Sequence, residues 1–122
     1  MVSILIIDDD AHFRAMLRQM LSRAGYEVKE APNGKQGMRL YRTEPVDLVI
    51  TDLIMPEKEG IETITDLRRE FPGVKIIAVS GGGKIGPEDY LSGAKLLGAQ
   101  RILAKPVEKD EMLEAIRELV GS

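Results

Sequence analysis

Residues 47–60 read DLVITDLIMPEKEG. Leu48, Val49 and Ile50 form an apolar triplet, as expected of a strand covered on both faces. Asp52 then breaks the apolar run, and Leu53, Ile54 and Met55 resume it. A lone carboxylate between two apolar triplets is desolvated on most of its sides. Water is the better home for it unless something holds it. The rest of the chain has to supply whatever does.

Outward from this stretch, two kinds of segment alternate. Upstream, residues 2–7 (VSILII) are a nearly continuous apolar run, a buried strand. A helix is expected over 11–23. Phe13, Met16, Leu17, Met20 and Leu21 fall at helical spacing there, with Asp10 capping the first turn and Gly25 ending it. A short strand follows over 26–30. Asn33 caps a second helix to about residue 42, and Pro45 closes the connection to a third strand over 46–51. Downstream, a third helix spans 59–70 and stops at FPG, before a fourth strand at 75–79 (KIIAV). Residues 80–87 (SGGGKIGP) are glycine-rich, and Pro87 suits the first turn of a fourth helix, 87–97, ended by Gly98. A fifth strand at 101–104, then Pro106, then a last helix over 108–120 complete the pattern.

This is (βα)5. Strict alternation predicts an α/β fold, a parallel sheet with helices on both faces. Right-handed crossovers leave the doubly wound, flavodoxin-like order 2-1-3-4-5 as the leading topology for five strands. Ligands in such sheets bind at the carboxyl ends of the strands, where the order reverses, here between strands one and three.

Composition narrows the function. A chain of 122 residues with 30% charged and 43% hydrophobic residues suits one ordinary soluble domain. The net charge is -3, with both signs interspersed, so no basic stripe points to nucleic acid and no basic amphipathic helix to a membrane surface. There is no cysteine, which excludes disulfides and thiolate metal sites. No apolar run approaches the roughly 20 residues that span a bilayer, and residues 1–7 lack the basic flank of a signal peptide. A cytoplasmic location is expected, in a chain with no effector domain.

The predicted strand ends collect charge. Strand one ends at Asp8 and Asp9, strand three at Asp52, strand four at Ser80 and strand five at Lys105. Carboxylates so gathered repel by about 4 kcal/mol per pair at 4 Å and an effective dielectric near 20. A magnesium ion, which takes one or two carboxylates plus waters and phosphate oxygens, would relieve this. Lys105 suits a phosphate oxygen as a point charge, and Ser80 can donate a hydrogen bond to another. Asp52 can then act as a nucleophile toward phosphorus and form an aspartyl phosphate.

With these residues in place the sequence resembles the receiver domain of two-component response regulators over its whole length. ILIIDDD (4–10), DLVITDLIMPEKEG (47–60), IIAVSGG (76–82) and ILAKPV (102–107) carry the likeness, in that order and spacing. The resemblance implies that Asp52 accepts a phosphoryl group from a histidine kinase or phosphotransfer protein. It implies Mg2+ held by Asp8, Asp9, Asp52 and the backbone carbonyl of Ile54, and phosphoryl oxygens bound by Ser80 and Lys105. It also implies a cis Lys105–Pro106 peptide, and a homodimer or effector surface on the fourth helix, fifth strand and last helix.

Two features depart from the family pattern. Ile102 stands where an aromatic residue usually serves as a switch, and the stretch from Ser80 to Lys105 is about three residues longer than usual. The expectation is that Gly81 to Pro87 and the fourth helix reorder instead. Ile54 and Gly82 flank the expected phosphate position, and neither can orient a water, so slow self-dephosphorylation is expected.

Blander roles compete for some of these residues. Asp10 is read as a helix cap, His12 as an exposed helix residue, and Met16 with Met20 as core. Lys95, Arg101 and the acidic Glu108, Asp110, Glu111 and Glu114 are read as a solvated face. Two other functions compete as well. One is a magnesium-dependent phosphohydrolase of haloacid-dehalogenase type, suggested by Asp8-x-Asp10 but opposed by His12, which leaves D-x-D-x-[TV] incomplete. The other is an unphosphorylated receiver-like binding module, opposed by the presence of both Asp52 and Lys105.

Overall fold

The computed structural model describes residues 1–53, 59–81 and 98–121. The predicted roles of Ile54, Met55, Pro56, Gly82 and Lys95, most of the glycine-rich loop and the helix over 87–97 lie outside the described residues.

Five strands, β1 (Ser3–Ile7), β2 (Glu27–Ala31), β3 (Leu48–Asp52), β4 (Ile76–Ser80) and β5 (Arg101–Ala104), form one parallel sheet in the order β2-β1-β3-β4-β5. This is the doubly wound order expected. Four helices are described: α1 (Ala11–Arg23), α2 (Gly34–Thr43), α3 (Glu59–Glu70) and α4 (Lys109–Val120). Their starts follow from side-chain chemistry. Asp10 accepts from the backbone N–H groups of His12 and Phe13 at 2.9 and 3.2 Å, and Asn33 accepts from that of Gln36 at 2.8 Å. Each satisfies donors that a helix N-terminus leaves open. At the other end of α1, Gly25 takes φ 96°, a left-handed conformation that glycine adopts without penalty.

Side chains alternate across the sheet, so the core divides in two. Leu5, Ile7, Val49, Ile76 and Ala78 pack toward α2 and α3, with Met38, Tyr41, Ile64 and Leu67. Ile4, Ile6, Leu48, Ile50, Ile77, Val79 and Leu103 pack toward α1 and α4, with Leu17, Leu21, Met112 and Ile116. The central strands β3 and β4 are buried at every position, as a sheet covered on both faces requires. Two glycines allow close approach. A Cβ on Gly37 of α2 would stand 2.3 Å from Cδ1 of Ile7, and one on Gly60 of α3 would stand 2.0 Å from the backbone oxygen of Asp52.

One packing expectation is corrected. Met16 is exposed rather than core, and Met20 is only half-buried. The buried stripe of α1 is carried by Leu17 and Leu21, one turn apart. Met16 sits on the outer edge of that stripe. His12 is exposed, as expected. Four strand limits also move. The strands expected at 2–7, 26–30, 46–51 and 75–79 are Ser3–Ile7, Glu27–Ala31, Leu48–Asp52 and Ile76–Ser80.

Candidate functional site

The two-residue period of a strand fixes which side of the sheet each terminal residue takes. Asp8 continues the alternation of Ile4 and Ile6, Asp52 that of Leu48 and Ile50, and Lys105 that of Leu103. All three therefore emerge on the α1 side, at the carboxyl edge. β1 and β3 are neighbours, whereas β4 separates β3 from β5. At about 4.8 Å per strand, β3 and β5 are roughly 10 Å apart, a gap that a long lysine stem can cross.

It does cross. The Lys105 ammonium donates to Oδ2 of Asp8 and to Oδ2 of Asp52, each at 3.1 Å. Both carboxylates are nearly inaccessible, Asp8 1% and Asp52 5% exposed. Burial holds the Asp8 carboxyl above the ordinary carboxylate range, and the negative charge of Asp52 adds to it. The same burial opposes the charge on Lys105, but hydrogen bonding and attraction to Asp52 and Asp8 outweigh it and raise the lysine's pKa. The group thus answers the question set by Asp52: a fixed ammonium and a shared charge network hold it where water does not.

Asp9 joins from the solvent side. Asp8, Asp9 and Asp52 each offer a carboxylate oxygen, all within 4.8 Å of one another. Hard oxygen donors with this charge and spacing fit magnesium. Asp10 stands apart from the cluster as the α1 cap, with its carboxyl lowered chiefly by the backbone N–H of Phe13. That engagement removes it from the acid role a D-x-D hydrolase would give it. Ser80, also buried, closes β4 opposite Ala104, and its carbonyl accepts from the Lys105 backbone N–H at 2.8 Å. The Lys105–Pro106 peptide is cis. Ile102, at the usual aromatic position, is half-buried and packs against the α2–α3 half of the core.

Two contributors escaped the sequence reading. Arg14 donates to the backbone oxygen of Asp8 at 2.5 Å and to Glu30 at 3.3 Å, and Glu30 also pairs with Arg18 at 2.7 Å. A signal for it exists: a cation in the first turn of a helix opposes the helix dipole, so its presence there calls for an anionic or carbonyl partner. Phe13, read only as core, places its ring centroid 4.2 Å from the Lys105 ammonium.

Comparison with known proteins shows the family. The family model of the response regulator receiver domain matches residues 4–117, and the chain belongs to that family. It is 34% identical over 117 residues to the chemotaxis protein CheY of Thermotoga maritima, covering 95% of each chain. A response regulator receiver domain protein from Clostridium thermocellum superposes with a TM-score of 0.90 at 28% identity, covering 99% of this chain and 95% of that one. The response regulator TrrA of Thermotoga maritima, solved in complex with Mg2+-BeF, superposes with a TM-score of 0.84 at 28% identity, covering 98% and 99%. The protein is a signalling receiver of two-component systems rather than a metabolic enzyme, which sets aside the hydrolase.

Proposed function

We propose that Asp52 is the phosphoryl acceptor, charged by a histidine kinase or a phosphotransfer protein, and that Asp8, Asp9, Asp52 and the carbonyl of Ile54 hold the magnesium this requires. The observation that carries it is the Lys105 ammonium 3.1 Å from both Asp8 and Asp52, beside three carboxylates that share one cluster. The Mg2+-BeF complex of TrrA supports the choice of metal.

An oxygen of Asp52 attacks phosphorus while the bond from phosphorus to the donor breaks, and the donor leaves with that electron pair. Lys105 passes from carboxylate to phosphoryl oxygen over a short path and offsets the charge that arrives. Ser80 donates its hydroxyl proton in a hydrogen bond to a second phosphoryl oxygen. Magnesium, when bound, neutralises negative charge on carboxylates and phosphoryl oxygens together. The chain catalyses only its own phosphorylation and dephosphorylation.

The change is passed to a homodimer or effector across β5 and α4, where Arg101 pairs with Glu118. We read residues 1–122 as one receiver domain acting in the cytoplasm. All described strands share one sheet, and no helix among the described residues is long and apolar enough to cross a membrane. Incubation with acetyl phosphate followed by intact-mass measurement tests the acceptor chemistry. One phosphoryl group should be gained with magnesium and none without it. A gain independent of magnesium would contradict the proposal, and so would turnover releasing many equivalents of phosphate.

A further inference from the structure

The lysine that answers two carboxylates is itself held by an uncharged wall. Its stem passes Gly81, where a Cβ would stand 3.8 Å from the Lys105 Cδ, and its ammonium lies over the Phe13 ring at 4.2 Å. Phe13 is half-buried and packs against the α1–α4 half of the core, in the first turn of a helix whose cap fixes its start. The ring is therefore anchored, while the lysine reaches it on a long stem with several rotatable bonds.

Packing alone does not require an aromatic residue here, since a leucine would fill much of the same space. What the ring adds is a negative face turned to a cation. A lysine side chain has several rotatable bonds, and holding it in one arrangement costs entropy. The carboxylates of Asp8 and Asp52 attract the ammonium but do not stop it from swinging outward to water. The ring bounds the ammonium on the α1 side and attracts it without binding it in a directed hydrogen bond. The lysine thus stays over the acceptor yet can turn from carboxylate to phosphoryl oxygen.

We infer that Phe13 is a positioning residue for phosphoryl transfer, acting through Lys105 by a cation–π contact; this rests on the assignment of Asp52 as acceptor. A contact of this kind at a partly exposed site is worth about 0.5–1 kcal/mol, so its loss should slow transfer about two- to fivefold.

The test compares the wild-type protein with Phe13→Leu and Phe13→Tyr. Three readouts are taken: the rate of phosphorylation by acetyl phosphate at saturating magnesium, magnesium affinity, and the NMR shift of the Lys105 ε-methylene protons. In the wild type these protons should be displaced upfield by the ring. F13L should lose the displacement and slow about two- to fivefold with unchanged magnesium affinity, and F13Y should keep both rate and displacement. The inference is overturned if F13L is phosphorylated as fast as the wild type. Equal slowing of F13L and F13Y, or slowing that follows a loss of magnesium affinity, also overturns it, since either marks a general packing defect. Failure of the underlying assignment looks different: the wild-type protein itself then gains no phosphoryl group.

Discussion

An aspartate stands at each end of β3, and the two are used in opposite ways. Asp47, exposed at the amino end, accepts from the backbone N–H and hydroxyl of Ser3 at 2.8 and 3.2 Å, while its own N–H donates to the Ser3 carbonyl at 2.9 Å. Asp52, at the carboxyl end, is buried and shares one ammonium with a second carboxylate. The first ties two strand starts together. The second gathers charge at one point of the sheet edge. At the amino edge, strands and turns satisfy each other locally. At the carboxyl edge, charged side chains from the ends of β1, β3 and β5 converge across the sheet, and the repulsion among the carboxylates is what a bound cation would relieve.

The contrast can be broken most decisively at Asp52. Asp52→Asn should abolish the phosphoryl adduct in an intact-mass measurement while leaving the far-UV circular dichroism unchanged. A variant still phosphorylated would place the acceptor elsewhere.

Asp8 should show the next largest effect. Asp8→Asn removes a charge from the cluster and should weaken magnesium binding by at least about tenfold in a titration. The pH dependence follows from the raised pKa of Asp8, caused first by burial and then by Asp52. Protons compete with the metal, so affinity should already fall with decreasing pH above the ordinary carboxylate range. For stability without metal the sign is opposite. A folded pKa above the unfolded one means the folded chain binds more protons, so stability declines as pH rises from the unfolded pKa through the folded one. D8N should flatten that decline in urea titrations across the same interval.

Gly60 tests the backbone beneath Asp52. A side chain there must displace the Asp52 carbonyl or the Leu53 backbone, and Gly60→Ala should cost about 1–3 kcal/mol in denaturant unfolding. It should also slow phosphorylation, because the backbone it displaces carries Asp52. Asp47→Asn marks the small end of the scale. It should cost about 1 kcal/mol or less, since Asn keeps an acceptor for Ser3, and leave the phosphorylation rate unchanged. A large loss of phosphorylation in D47N would erase the distinction between the two ends of the strand.

The fold was legible because its signals are local and repeated. Apolar runs such as VSILII, capped helices and glycine or proline stops leave few ways to pair five parallel strands. Strand limits drifted by a residue or two because apolar character outran pairing at the strand starts and pairing outran it at the strand ends. Tyr26 reads as strand, yet its N–H donates to the Leu21 carbonyl in the turn that closes α1. Ser80 reads as loop, yet it pairs with Ala104. Met16 reads as core because helical spacing defines a stripe without its width. In the site, the residues that converge, Asp8, Asp9, Asp52 and Lys105, were legible from their chemistry at the strand ends. Those that steady them were not. The apolar character of Phe13 conceals its contact with Lys105, and Arg14 reaches a backbone oxygen that no side-chain pattern reveals.

Which carboxylate bonds to phosphorus is the central claim, since Asp8 and Asp52 share one lysine and differ little in burial. Borohydride reduces an acyl phosphate to an alcohol, converting a phosphorylated aspartate to homoserine. After phosphorylation with acetyl phosphate and magnesium, reduction and peptide sequencing by mass spectrometry should find homoserine at position 52, with Asp8 and Asp9 intact. Homoserine at position 8 or 9, with Asp52 unmodified, would contradict the account.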